Sequence, residues 1–146
     1  MRVTELAQDA QNQGFAGDFA AAQRALSQAF DIIEREGAPN DVCHASVLVV
    51  AADFSSAIGE TEAGGSLYRR ARDMCNGLAP SKSALRAHPD VSALLTRSLL
   101  GLARIDVEAG RADRARESYA AALLLLEAMP GCPDELVEEA RQGAMA

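Results

Sequence analysis

Tryptophan is absent from this chain, and two tyrosines and four phenylalanines bring the aromatic share to only 4% of 146 residues. Apolar residues still make up 49%, and the aromatic deficit is filled by alanine and leucine, the strongest helix formers. An all-α protein of one domain, 1–146, is the expectation, large enough to bury a core without covalent staples. Cations are also in short supply: 14 Lys and Arg against 21 Asp and Glu give a formal net charge of −7. Phosphate neutralisation needs clustered cations, so the composition argues against nucleic acid as a partner and favours a basic partner surface. Three cysteines, Cys43, Cys75 and Cys132, are odd in number and far apart. They fit neither a disulfide framework nor a paired metal knuckle, and reduced, mostly buried thiols are expected. No apolar leader core and no run of bilayer length occurs, so a soluble cytoplasmic chain with no membrane partner is expected. Neither a Gly-rich phosphate loop nor a nucleophile elbow nor a paired-acid motif is present, so no catalytic residue, cofactor or metal site is predicted.

What is present is helical periodicity. Residues 3–14 form a weak helix signal ending at Gly14 and Gly17. "DFAAAQRALSQAFDIIEREG" then sets Phe19, Ala22, Leu26, Ala29, Phe30 and Ile33 at three- and four-residue steps, with Asp18 to cap the helix and Gly37 to stop it. "VCHASVLVVAADFSSAIG" is apolar on nearly every side from Val47 to Ala52, and its length and Ala/Ser flanks predict a buried central helix rather than a strand. "ETEAGGSLYRRARDMCNGL" reads as the next helix, with Leu67, Tyr68, Ala71 and Met74 inward and Gly64 and Gly65 permitting close approach. "APSKSALRAHP", bracketed by prolines, reads as a long loop over 79–89, with His88 at its turn into the next helix. "DVSALLTRSLLGLARIDVEAG", capped by Asp90, and "RADRARESYAAALLLLEAMPG" form another pair. "CPDELVEEARQGAMA" closes the chain as a helix with Leu136, Val137 and Ala140 on one face.

Three sets of residues share one internal spacing: Gly17, Ala22, Leu26, Ala29; Gly59, Gly64, Tyr68, Ala71; and Gly110, Ala115, Tyr119, Ala122. The glycines supply turns between antiparallel helices, the small residues allow close packing, and the large residue fills the space between pairs. A helix pair of this kind cannot bury its apolar face alone, so stacked pairs share a continuous core.

The pattern resembles the tetratricopeptide repeat, most closely in "LLGLARIDVEAGRADRARESYAAAL". "HPDVSALLTRSLLGLA" with "LYRRA" resembles the longer subtype found in kinesin light chains. The resemblance implies a right-handed α-α superhelix of three helix pairs, over roughly 3–37, 41–78 and 90–129, with an insertion at 79–89 and a capping helix over 133–145. It further implies a non-catalytic adaptor or chaperone-like module that binds a protein or peptide in a groove lined by the first helix of each pair. The groove residues it implies are Gln8 and Gln11, Asp53 and Ser56, and Arg97, Arg104 and Glu108. Arg97 and Arg104 lie seven apart on one helix face, placed to hold an acidic group of a ligand, while Glu108 is four beyond Arg104 and equally placed to pair with it. Asp53 interrupts an apolar helix; a buried carboxylate is costly unless paired, so it either faces the groove, the favoured reading, or finds a cation within the fold. Ala7, Val50 and Gly101 stand where the carboxylate-clamp groups of chaperone-binding relatives would be, which speaks against capture of a peptide C-terminus.

Cys43 and His44 are adjacent, so they point in different directions on a helix and lack partners for a metal or catalytic set. Leu123, Leu124, Leu125 and Leu126 surround their helix, and any part the capping helix leaves bare is a candidate oligomer interface. Two alternatives to the adaptor follow: a regulatory subunit of an enzyme or transcription factor, and a structural homo-oligomer.

Overall fold

The computed structural model describes residues 2–37 and 40–146, with the side chains of residues 2 and 15 left out. Among the described residues there are eight helices and no strand: α1 (Arg2–Phe15), α2 (Phe19–Glu36), α3 (Asp41–Ala57), α4 (Thr61–Leu78), α5 (Lys82–Ala87), α6 (Pro89–Glu108), α7 (Ala112–Ala128) and α8 (Asp134–Met145). The expected all-α class is therefore observed. No helix is long and apolar enough to cross a membrane among these residues.

Three antiparallel hairpins, α1–α2, α3–α4 and α6–α7, are closed by turns of one construction. Gly17, Gly59 and Gly110 have φ of 84°, 86° and 78°, the left-handed region that glycine enters without a Cβ clash. Around each, the residue after the glycine donates its N–H to the carbonyl five positions back: Asp18 to Gln13, Glu60 to Ser55, Arg111 to Asp106, at 2.9, 2.8 and 2.8 Å. The spacing of glycines in the sequence thus corresponds to a repeated backbone motif. Asp18 caps α2 by accepting from the Ala21 N–H at 3.1 Å, as expected, and Asn40 does the same for α3.

Packing follows chain order. Each hairpin's second helix lies against the next hairpin's first helix, and the first helices also lie side by side, α1 on α3 and α3 on α6. α3 is the shared wall between two apolar cores. Cys43, Val47, Val50 and Ala51 face the α1–α2 side, whereas Ala45, Leu48, Val49 and Ala52 face the larger core of α4, α6, α7 and α8. Val47, Leu48 and Val49 are fully buried, each stabilising the fold by about 1.5–3 kcal/mol relative to exposure. Burial on both faces is why this segment lacks an amphipathic pattern.

Three details differ from expectation. The segment 79–89 is not a loop: Ser81 accepts from the Ala84 N–H and starts the six-residue α5, and both prolines lie outside it. Asp90 is not the cap of α6, since Pro89 already occupies the first turn and His88 precedes it without a side-chain cap bond. Phe19 is not on the buried stripe of α2; it is 43% exposed and packs edge-on against Phe54, with ring centroids 6.0 Å apart.

Candidate functional site

α3 and α6 run side by side, and a trough lies along their seam. One cleft of about 410 Å³ is lined by Asn40, Val42, Cys43 and Ser46 at the start of α3, by Asp90, Ala93, Leu94 and Arg97 of α6, and by Thr4 of α1. A second, of about 310 Å³, is lined by Asp53, Ser56 and Ala57 at the end of α3, by Gly101, Arg104, Ile105 and Glu108 of α6, and by Thr61 and Tyr68 of α4. Between them Arg97 reaches Asp53, with a guanidinium nitrogen 2.6 Å from the carboxylate. Asp53 thus faces the trough and also finds its cation inside the fold.

Tyr68 completes that bridge by donating its hydroxyl to the other Asp53 oxygen. Its phenol is pushed up, first by burial and then by the Asp53 carboxylate. Ser56 Oγ lies beside this hydroxyl, buried, without a hydrogen bond of normal geometry among the described residues.

A second cluster of the same design sits one hairpin further on. Arg104 grips Glu139 of α8 through two nitrogens, at 2.8 and 2.6 Å, and Tyr119 donates to the same carboxylate at 3.1 Å. The Arg104 hydrogen bond holds the Glu139 carboxyl below its usual range, and the same bond raises Arg104. Burial, then Glu139, raises the Tyr119 phenol. The two clusters occupy equivalent positions. Tyr68 and Tyr119 each lie nine residues after their turn glycine; Asp53 and Arg104 each lie six residues before one. Arg97 and Glu139 each lie four residues before a glycine, Gly101 and Gly143, against which the tyrosine ring sits. The charges are reversed from one cluster to the next, and in both the tyrosine hydroxyl meets the carboxylate.

The sequence-derived groove residues are therefore divided. Asp53, Ser56, Arg97, Arg104 and Glu108 line the trough. Gln8 and Gln11 line neither cleft; Gln8 is exposed and bonded to Asn12 at 3.1 Å. Arg104 does not pair with Glu108; Glu139 takes its guanidinium in a two-pronged bond. Nor are Arg97 and Arg104 free cations for an acidic ligand, since each is already neutralised. Of the four leucines only Leu124 is exposed, at 67%; Leu126 is buried, and Leu123 and Leu125 are half-buried beneath neighbouring side chains.

The sequence reading missed Glu139, the ends of the trough at Asp90, and the part played by the two tyrosine hydroxyls. The signal was the shared offset from the turn glycines, which relates α8 to α6 only once Gly143 is aligned with Gly101. Cys43 and His44 do not come together with other ligands, and no group of three His, Cys, Asp or Glu is placed to hold a metal among the described residues. Compared with models of protein families, with curated proteins and with solved structures, the chain matches none.

Proposed function

We propose that this protein is a non-catalytic, tetratricopeptide-like interaction module that binds a segment of another protein along the α3/α6 trough. One observation carries the reading: two clefts on one seam, formed by adjacent first helices, flank an ion pair that is satisfied within the fold. A preformed trough keeps the ordering cost of binding on the partner's side. In the same reading α8 is the cap. Its outward residues Asp134, Glu135, Glu138, Arg141 and Gln142 are polar, as the end of a stacked-helix array requires. The outward face of α1, with Glu5, Gln8, Asp9 and Asn12, closes the other end in the same way. Polar ends and a single exposed leucine on α7 favour a partner in the trough over stacking of copies end to end.

The test is a blocked trough. Ala57 and Ala93 are exposed, line one cleft each and have side chains that make no polar bond, so Ala57→Gln with Ala93→Gln fills the seam without adding a charge that competes for Asp53 or Asp90. Proteins retained from lysate by the wild type and lost by the folded double variant are the expected result. Equal retention by both, with the same stoichiometry, places binding elsewhere on the molecule and overturns the reading. A partner that is one folded enzyme or transcription factor, in place of varied peptides, would make the module a regulatory subunit.

A further inference from the structure

We infer that the segment seated in the trough is basic, with a lysine or arginine at each end. The inference rests on the interaction reading above and adds the chemistry of the partner. Four charged residues of α6 fall on one stripe, Asp90, Arg97, Arg104 and Glu108, at steps of seven, seven and four. The two inner ones are arginines, each neutralised sideways by a carboxylate, Asp53 or Glu139. The two outer ones are carboxylates, exposed, and neither has an ion pair among the described residues. Each closes one end of the trough: Asp90 lines the first cleft and Glu108 the second.

Among the described residues the trough therefore offers two carboxylates without an ion pair, Asp90 in the first turn of α6 and Glu108 in its last, and no arginine without one. Asp90 and Glu108 are 18 residues apart, which is five helical turns and about 27 Å at 1.5 Å per residue. An extended segment covers that distance with about eight residues at roughly 3.3 Å each. Between its basic ends the occupant passes Ala93, Leu94, Ala57 and Ile105, which suit small or apolar side chains. An acidic occupant would have to displace Asp53 from Arg97 or Glu139 from Arg104, breaking a satisfied pair to make a new one. The net charge of −7 works in the same direction at longer range, speeding encounter with cations.

The experiment is selection of random displayed dodecapeptides on the immobilised full chain, followed by affinity measurement of the selected peptides at two salt concentrations. The expected pool is rich in Lys and Arg, with a basic pair about seven to nine positions apart. Its peptides should bind about tenfold more weakly to Asp90→Lys with Glu108→Lys, the loss expected of two exposed ion pairs. They should bind within about twofold of wild type to Glu34→Lys with Glu127→Lys, which makes the same change in net charge on the second helices α2 and α7. Loss of equal size on both pairs means that overall charge is being read, and overturns the inference. A pool rich in Asp and Glu overturns it as well, while leaving the interaction reading in place. A pool with no enriched sequence overturns the interaction reading and this inference with it.

Discussion

The ring of Tyr68 occupies the space that a Cβ on Gly101 would need, so α4 and α6 meet with no side chain between the ring and the α6 backbone. Tyr119 stands in the same relation to Gly143 of α8. The hydroxyl of each ring ends on a carboxylate that is itself held by an arginine. Notch, ring and ion pair form one device, used twice. The first junction lacks it: Leu26 stands where the tyrosines stand, and Val50 stands where Gly101 stands.

Glycine in a helix interior ordinarily costs about 1 kcal/mol relative to alanine. At Gly101 the sign reverses, because the added methyl meets ring carbons of a tyrosine that is only 4% exposed and has nowhere to go. Gly101→Ala should destabilise by about 1–3 kcal/mol in urea unfolding. Gly77→Ala, where nothing lies within 4 Å of the new methyl, should stabilise by up to about 1 kcal/mol. Tyr68→Leu added to Gly101→Ala should recover part of the loss, since it puts a leucine against a side chain with a Cβ, as Leu26 and Val50 stand at the equivalent positions of the first junction. An unchanged midpoint for Gly101→Ala would refute the notch.

Charge reversal between the two clusters gives a second prediction. Arg104→Glu sets two carboxylates against each other and should lower stability by about 1–2 kcal/mol; adding Glu139→Arg should restore most of it. Asp53→Arg and Arg97→Asp should behave alike at the other junction. The reversed polarity also opposes a shift by one hairpin, because α8 docked in place of α6 would bring Glu139 to Asp53. Double-mutant cycles read the coupling directly. Additive losses at both junctions would mean the pairs contribute nothing beyond their separate side chains.

The helices and their turns were legible in the sequence because both depend on near neighbours: an amphipathic period in α2, a left-handed glycine at positions 17, 59 and 110. The trough was half legible. Asp53, Ser56, Arg97, Arg104 and Glu108 could be placed on first-helix faces by their spacing, but their partners could not, since Arg97 meets Asp53 across 44 residues and Arg104 meets Glu139 across 35. At sequence level Glu108 was the nearer partner for Arg104, and only the docking of α8 decides against it. α5 was hidden for a different reason. Pro80 and Pro89 signal a loop, yet a proline just outside a helix or at its first position leaves the helix between or after it undisturbed.

Glu139 makes part of the stability depend on pH. The Arg104 bond keeps its folded-state pKa below the ordinary 4.5, so the folded protein holds the charged form more tightly than the unfolded chain does. For a depressed carboxyl this contribution is complete above the unfolded value and disappears as pH falls through the folded one. Urea midpoints taken from about pH 7 to about pH 3 should therefore drop more steeply below 4.5 in the wild type than in Glu139→Gln, with a constant offset between the two above about pH 6. Parallel curves throughout would remove Glu139 from the acid transition.

The three thiols report on how the fold opens. Cys132 is half-exposed, Cys43 is 8% exposed with its sulfur 3.3 Å from the Thr4 hydroxyl of α1, and Cys75 is fully buried with its thiol pushed up to about 11. Reaction needs both access and thiolate, so the order of labelling should be Cys132, then Cys43, then Cys75. The gap between the last two is the informative quantity. The α1–α2 hairpin joins α3 through its own smaller core, α2 packs on α3 less extensively than α4 packs on α6, and this junction has no tyrosine notch. Low local stability of that kind permits opening of the hairpin without global unfolding. With urea raised through the range below the main transition, Cys43 should become reactive before Cys75, as read by mass spectrometry of alkylated peptides. Simultaneous exposure of both would mean that α1–α2 unfolds only with the rest of the chain, and that the leucine–valine junction holds as firmly as the two built on tyrosine and glycine.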